Sequence, residues 1–269
     1  MRNDSHAGLN LFALMKIKKI LLASVLVLSV YGTMAQTQVI AHRGYWKTDG
    51  SAQNSIAALL KADSIGCYGS EFDVWLTADD KLVVNHDPVF KLKSMERSTA
   101  ANLTSLKLDN GENLPTLEQY LKAAQKIQTR LILELKVLSS SERETKAIKK
   151  IIALVKELKL NDRMEYITFS LHATKEFIRL APAGTPVFYL DGKLSPKELK
   201  EIGCAGPDYH LSVFRKHPEW IEECHGLGMK VNVWTVNKEK DMKWLIEKNV
   251  DFITTNEPEL LISKIVTND

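Results

Sequence analysis

The chain has 269 residues, 45% of them hydrophobic, which is enough for one large core, and a formal net charge of only +3, part of it near the N-terminus. So small a charge, with no basic stripe interleaved with aromatics, argues against nucleic acid as a partner. Cys67, Cys204 and Cys224 contain no Cys-x-x-Cys motif and allow at most one bridge, so they are expected to be buried structural thiols rather than a zinc or redox site.

Residues 1–14 carry no clear signal, and translation from Met15 is an alternative start. From Met15, the basic residues Lys16, Lys18 and Lys19, the apolar run Ile20 to Val30 and the small-residue site Thr33-Met34-Ala35 predict a secretory signal peptide cleaved near Ala35. The apolar run is shorter than the ~20 residues of a spanning helix, so no stable membrane anchor is expected. No cysteine follows it, which disfavours a lipoprotein. Residues 1–35 are therefore expected to be an N-terminal extension and leader, and residues 36–269 a single secreted or periplasmic domain.

Strand-like runs then follow at Val39 to Ala41, Ser70 to Val74, Leu131 to Leu135, Tyr166 to Phe169, Val187 to Leu190, Tyr209 to Leu211, Val231 to Thr235 and Phe252 to Thr254. Between them, spacing and composition predict helices at Ile56 to Ile65, Leu117 to Ile127, Glu142 to Leu160, Ala173 to Leu180, Pro196 to Ile202, Pro218 to Gly226, Lys240 to Lys248 and Pro258 to Ile265. Asn54 or Ser55, Thr116 and Ser195 are the expected N-caps. Eight strands alternating with helices predict an α/β fold, a (β/α)8 TIM barrel. Thr77 to Lys81 is too short for a parallel crossover, so Leu82 to His86 is expected to return antiparallel as a hairpin extension. A turn centred between Asp79 and Asp80 would set His86 opposite Asp73, and a slip of one residue would keep them neighbours. The apolar period fades between residues 88 and 115, which predicts a small insertion after strand 2.

In such a barrel, chemistry gathers at the C-terminal strand ends. Period-two alternation turns Glu71 and Asp73 onto one face of their strand, and Glu134 and Lys136 onto one face of the next, so three carboxylates can converge. Two explanations stay open on spacing alone: a hard divalent cation held by oxygen ligands, or an ionic network neutralised by Arg43 and Lys136. Zinc is disfavoured because the histidines are needed elsewhere. His42 and His86 aim at this cluster and suit acid and base roles, as imidazole titrates near neutrality. Arg43 and Lys136 can bind phosphate oxygens. Asn54 is expected to orient the first loop or a ligand carboxylate, and Trp234 to wall the pocket. Asn237 and Asn256 are expected to tie loops at the mouth, and His172, His210, His217 and His225 to be structural.

The ordered set His42-Arg43-Gly44, Glu71-x-Asp73, His86-Asp87, Pro115-Thr116-Leu117-Glu118, Glu134-x-Lys136, Trp234-Thr235-Val236-Asn237 and Thr254-Thr255-Asn256-Glu257-Pro258 resembles the glycerophosphodiester phosphodiesterase family over essentially the whole mature chain. The family usually reads Pro-Glu-Asn-Thr where this chain has Ala52-Gln53-Asn54-Ser55, so one carboxylate beside the site is missing. The resemblance implies Mg2+ or Ca2+ on Glu71, Asp73 and Glu134. It implies hydrolysis of glycerophosphodiesters to glycerol 3-phosphate and an alcohol, by two histidines and through a cyclic phosphate. The expected partner is thus a small-molecule glycerophosphodiester. The alternatives are a phospholipase D-like enzyme of the same fold acting on lysophospholipid or choline headgroups, which a deep apolar groove would favour, and a non-catalytic phosphodiester-binding protein. An intracellular metabolic barrel is disfavoured by the leader.

Overall fold

The structure is a computed structural model and describes residues 36–266, so the expected leader and its cleavage site near Ala35 lie outside the described residues. The strands are β1 (Gln38–Ala41), β2 (Gly69–Leu76), β3 (Leu82–Val84), β4 (Val89–Phe90), β5 (Lys93–Ser94), β6 (Arg130–Leu135), β7 (Met164–Thr168), β8 (Val187–Tyr189), β9 (Gly206–His210), β10 (Asn232–Trp234) and β11 (Phe252–Thr255). Parallel pairing runs β1-β11-β10-β9-β8-β7-β6-β2, and β2 pairs back onto β1, which closes an eight-stranded barrel. The helices are α1 (Ile56–Ser64), α2 (Ala100–Thr104), α3 (Leu117–Ala124), α4 (Ser141–Glu157), α5 (Leu171–Leu180), α6 (Pro196–Ile202), α7 (Leu211–Lys216), α8 (Glu219–Gly226), α9 (Glu239–Glu247) and α10 (Pro258–Val266). This is the (β/α)8 fold the sequence predicts, with every expected helix formed within three residues of its bounds.

The caps explain why the helices start where they do. Ser55 accepts from the Ala58 N–H, and Thr116 with Gln119 and Ser195 with Glu198 form reciprocal capping boxes, the latter followed by Pro196 in the first turn. Alternation along the strands then separates two sets of side chains. Inward-facing Ile40, Ile132, Ile167, Phe188, Leu190 and Phe252 fill the barrel as one apolar cluster, while outward-facing residues such as Phe72, Leu133, Tyr166 and Tyr209 pack beneath the helices. Gly69 is required at the barrel floor, because a Cβ there would lie 2.9 Å from Ile132 Cγ1. Fully burying a side chain such as Ile132 contributes about 1.5–3 kcal/mol, and truncating it to alanine would cost about 2–5 kcal/mol. Cys67, Cys204 and Cys224 are free and buried. Among the described residues no helix is long and apolar enough to cross a membrane.

Two local expectations shift. Strand β9 begins at Gly206 instead of Tyr209 and ends at His210, whose side chain caps α7, so Leu211 is helical rather than extended. Gly206 opens the strand because the Lys230 carbonyl oxygen would lie 1.7 Å from a Cβ at that position. The hairpin register is also displaced by one residue. Val74 pairs with Val84 and Leu76 with Leu82, and the Asn85 N–H donates to the Asp73 carbonyl, so Asn85 rather than His86 stands opposite Asp73. The cause is an odd loop, Ala78 to Asp80, closed by Thr77 N–H to the Lys81 carbonyl and completed by Asp80 at φ 56°.

The segment after β3 is the predicted insertion, a two-stranded β4–β5 ribbon followed by α2. Met95, Leu103, Leu108 and Leu114 anchor it in the core. It also reaches the first barrel helix, because the Glu112 carboxylate accepts from the Ile56 and Ala57 N–H groups at 3.0 and 3.1 Å. A carboxylate at a helix N-terminus satisfies orphan donors and complements the helix dipole.

Candidate active site

Strand β1 ends at Ala41, and the chain turns sharply through Arg43 (φ 58°) and Gly44 (φ 76°). Only glycine fits the second position, where a Cβ would meet Ala58 backbone and side-chain atoms at 2.7 Å. The left-handed Arg43 backbone aims its own N–H at Glu71 Oε2, 2.8 Å away. Its Nη1 donates to Gln53 Oε1 at 2.5 Å, and its Nε lies 3.9 Å from Asp73 Oδ2. Gln53 thus orients the guanidinium without neutralising it, which is the structural consequence of an amide at this position.

Asn54, also left-handed at φ 60°, clamps β2 from both sides: its Oδ1 accepts from the Asp73 N–H at 3.1 Å and its Nδ2 donates to Asp73 Oδ2 at 2.8 Å. The parallel register sets Asp73 beside Glu134 across β2 and β6. Glu71, Asp73 and Glu134 are all buried, and each offers an oxygen within 4.8 Å of the others. Lys136 spans two of them, 2.7 Å from Glu134 Oε1 and 3.2 Å from Asp73 Oδ1.

Crowding of like charge governs the electrostatics. Burial, then Asp73 and Glu134, push Glu71 well above the usual carboxylate range, and burial and Asp73 push Glu134 up to about 7. Asp73 moves the other way: burial raises it, but Lys136, His86, the Asn54 hydrogen bond and Arg43 together outweigh that and hold it low. Burial also disfavours the Lys136 ammonium, but Asp73 and Glu134 more than compensate and raise it.

His42 Nδ1 lies 2.8 Å from Asn256 Oδ1, so the Nδ1–H tautomer donates there and turns Nε2 toward Glu71 Oε2 at 3.9 Å. Burial and then Arg43 lower this imidazole to about 4, leaving it neutral at physiological pH. His86 lies just beyond β3, with Nδ1 2.7 Å from Asp87 Oδ1 and its carbonyl accepting from Trp75 Nε1. It too is lowered, chiefly by burial, with Asp73 opposing.

These groups surround a cavity of about 240 Å3 lined by His42, Arg43, Glu71, His86, Glu134 and Asp208, with Ile167, Phe169, Leu190 and Trp234 as an apolar wall. Trp234 is anchored by Nε1 donation to the Asp208 carbonyl and by edge contacts with Phe169 and His210. Asp73, Asn54 and Lys136 stand behind the lining. Asn256 lies nearer the chemistry than a loop tie, since it orients His42 and also accepts from Trp46 Nε1, while Asn237 does tie the loop through the Asn256 N–H. His172, His210, His217 and His225 bond to Thr145, Ser212, Glu219 and Asp251, away from the cluster.

Sequence reasoning missed Asp208. It is 2% exposed, and burial pushes its carboxyl up to about 8. The available signal was alternation along Gly206-Pro207-Asp208-Tyr209-His210, obscured by a strand that opens on Gly-Pro.

The buried Glu71 Oε1 has no hydrogen-bond partner among the described residues. Three carboxylates also face only two cations, Arg43 and Lys136. A hard, oxygen-seeking divalent cation fits both facts, the donor set as well as the surplus negative charge.

A family model described as the glycerophosphoryl diester phosphodiesterase family matches residues 42–260. A glycerophosphodiester phosphodiesterase of Caldanaerobacter subterraneus subsp. tengcongensis is 30% identical over 247 residues, 86% of this chain and 98% of the relative. The crystal structure of a glycerophosphodiester phosphodiesterase from Parabacteroides distasonis superposes with a TM-score of 0.85 at 52% identity, covering 87% of this chain and 98% of that one. A phosphodiesterase of Oleispira antarctica, solved in complex with the product sn-glycerol-3-phosphate, shares the fold at 24% identity and a TM-score of 0.73 over 86% of this chain and 97% of its own. With a closed barrel, the motifs in order at its C-terminal end, and a family match spanning most of the chain, the protein belongs to the glycerophosphoryl diester phosphodiesterase family and is a phosphoric diester hydrolase.

Proposed function

We propose that this protein is a divalent-metal-dependent hydrolase of glycerophosphodiesters that releases glycerol 3-phosphate and an alcohol. The observation that carries this reading is one cavity lined by two members of a buried three-carboxylate cluster, one of them with an unpartnered oxygen, by an arginine and by two imidazoles. The complex of the Oleispira antarctica phosphodiesterase with sn-glycerol-3-phosphate supports a ligand of this size in a barrel of this fold. About 240 Å3 is less than the ~300–1,000 Å3 of sites for drug-sized ligands, and it suits a glycerol phosphate better than an acyl chain.

Glu71, Asp73 and Glu134 would hold Mg2+ or Ca2+, which supplies Lewis-acid charge to phosphate oxygens. Arg43, held by neutral Gln53, binds a nonbridging phosphate oxygen, and Lys136 supplies a second positive charge behind the carboxylates. Both histidines have Nδ1 tied to an oxygen acceptor, so both present Nε2 to the cavity. His42, tied to a neutral amide and lowered to about 4, stands unprotonated and is available to take a proton. His86, tied to a carboxylate, is the better holder of a proton.

In the proposed first step His42 takes the proton of the glycerol 2-hydroxyl. That oxygen bonds to phosphorus, the bond to the departing alkoxide breaks, and His86 protonates the alkoxide. A five-membered cyclic phosphate results. Water then opens it with the proton roles exchanged, giving glycerol 3-phosphate. Tethering favours the first step, since effective molarities of intramolecular nucleophiles reach roughly 10⁵–10⁸ M.

A panel of glycerophosphodiesters, assayed for glycerol 3-phosphate with and without Mg2+ or Ca2+, tests the reading. Metal-dependent release is expected from at least one member. Tight binding without release across the panel would favour a non-catalytic binding protein. A substrate lacking only the 2-hydroxyl should bind competitively and turn over far more slowly; equal turnover would replace internal attack by attack of water. We also propose that residues 1–35 are removed on export and that residues 36–269 are the mature secreted or periplasmic domain, supported by the Lys-rich, apolar and small-residue pattern before Gln36. Protein recovered from its host should begin near Gln36, and a retained Lys16 would overturn the leader.

A further inference from the structure

One side of the cavity has no part in the chemistry above. Around the barrel the strands run β1, β2, β6, β7, β8, β9, β10, β11, so β9 stands diametrically opposite β2. The β2 side presents carboxylates and cations. The far side presents Ile167, Phe169, Leu190 and Trp234, with the carboxyl group of Asp208 set among them. Alternation from Gly206 turns Asp208 inward, and the register places it beside Asn232. Asn232 donates from Nδ2 to Thr254 Oγ1 at 2.9 Å and also hydrogen-bonds the Asp208 carboxyl, which fixes its orientation. Asp208 Oδ1, the other oxygen of that carboxyl, has no partner among the described residues.

A buried carboxyl oxygen without a partner costs free energy unless something bound there satisfies it. A phosphate is the wrong occupant, since a carboxyl offers it poor complementarity and the cationic side already serves it. A neutral hydroxyl is the right one, able both to donate to and accept from a carboxylic acid. We propose that Asp208 is a specificity residue that hydrogen-bonds the terminal hydroxyl of the glycerol moiety, while the apolar wall packs on its carbons. This rests on the glycerophosphodiesterase reading. It follows from placement: with the phosphate and the 2-hydroxyl held at the β1, β2 and β6 side, the last hydroxymethyl of a three-carbon unit projects across the cavity. A carboxyl kept protonated by burial to about 8 has the donor that this contact needs.

The test compares two diesters with the same leaving alcohol. One carries glycerol; the other carries propane-1,2-diol, which keeps the 2-hydroxyl and replaces the terminal hydroxymethyl with methyl. Wild type should prefer the glycerol diester by about 10- to 100-fold in kcat/KM, because the methyl analogue leaves the buried Asp208 Oδ1 unpaired. Asp208→Ala should bring the two substrates within about twofold of each other, by losing rate on the glycerol diester. Asp208→Asn, which keeps the volume and a donor, should retain part of the preference. A merely structural role would lower both substrates in proportion and leave their ratio unchanged, which would overturn the assignment. A wild-type ratio near one would overturn it as well, even if Asp208→Ala failed to fold. Absence of cleavage of either diester by wild type would instead strike the phosphodiesterase reading, and this assignment with it.

Discussion

Buried carboxylates face cations at both ends of the barrel, and the two ends solve the problem differently. At the N-terminal end, Glu165 (β7) accepts from Arg130 Nε and from the Tyr68 hydroxyl, each at 2.6 Å, one carboxylate against one guanidinium and one phenol. That network is closed. At the C-terminal end three carboxylates share Arg43 and Lys136, two of them are pushed upward in pKa, and Glu71 Oε1 is unpartnered. Buried ion pairs alone therefore do not mark a site. Unbalanced charge and unmet hydrogen-bonding capacity do, because stability alone gives no reason to keep either.

The largest expected effect separates the ends by chelation. Excess chelator should abolish activity, and Mg2+ or Ca2+ should restore it; full turnover in chelator would sink the metal assignment. Glu71→Gln, Asp73→Asn and Glu134→Gln should each weaken metal binding by more than the about 10- to 100-fold that loss of a mere outer-shell partner costs, as read by calorimetric titration. Next come the imidazoles. His42→Ala and His86→Ala should each lower kcat by about 10²- to 10⁴-fold with metal affinity retained, and a wild-type rate in either would remove that residue from the mechanism.

The closed end should respond in stability instead. Arg130→Ala leaves Glu165, 2% exposed, with only Tyr68, and should cost about 3 kcal/mol in denaturant unfolding while the folded enzyme keeps kcat within about twofold. A large kcat loss at unchanged stability would mean that the two ends are coupled.

The smallest effect is a pH slope. Glu134 titrates at about 7 in the fold against an ordinary 4.5, so its favourable contribution is present below about 4.5 and is lost as pH rises through 7. Metal-free protein should lose about 2 kcal/mol of stability between pH 5 and pH 8, with Glu134→Gln showing a shallower slope. Metal binding should correspondingly release protons and strengthen over the same range. An equal slope in Glu134→Gln would place the proton elsewhere in the cluster.

Much of this architecture is written in local pattern. Period-two alternation in Glu71-Phe72-Asp73 and Leu133-Glu134-Leu135-Lys136 fixes which side chains share a face, whatever the fold around them. Alternating strand and helix signals lead to a parallel barrel, and the barrel brings strand ends together. Ser55, Thr116 and Ser195 announce their helices because caps act within four residues.

What the chain could not disclose locally depends on distances across the fold. The hairpin register turned on one residue of loop closure, which moved Asn85 rather than His86 opposite Asp73. Asn256 reaches His42 from 214 positions away, and Glu112 caps α1 from the insertion after β3. Asp208 is ordinary in sequence, and only barrel closure sets it across from Glu71 and Asp73. The sequence by itself therefore determined the strand and helix order, the paired carboxylates and the His-Arg-Gly turn, since periodicity, capping and backbone sterics act over a few residues. The tertiary structure alone decided which carboxylate oxygen lacks a partner and which pKa rises, because burial and charge crowding are properties of the closed barrel, summed over strands far apart in the chain.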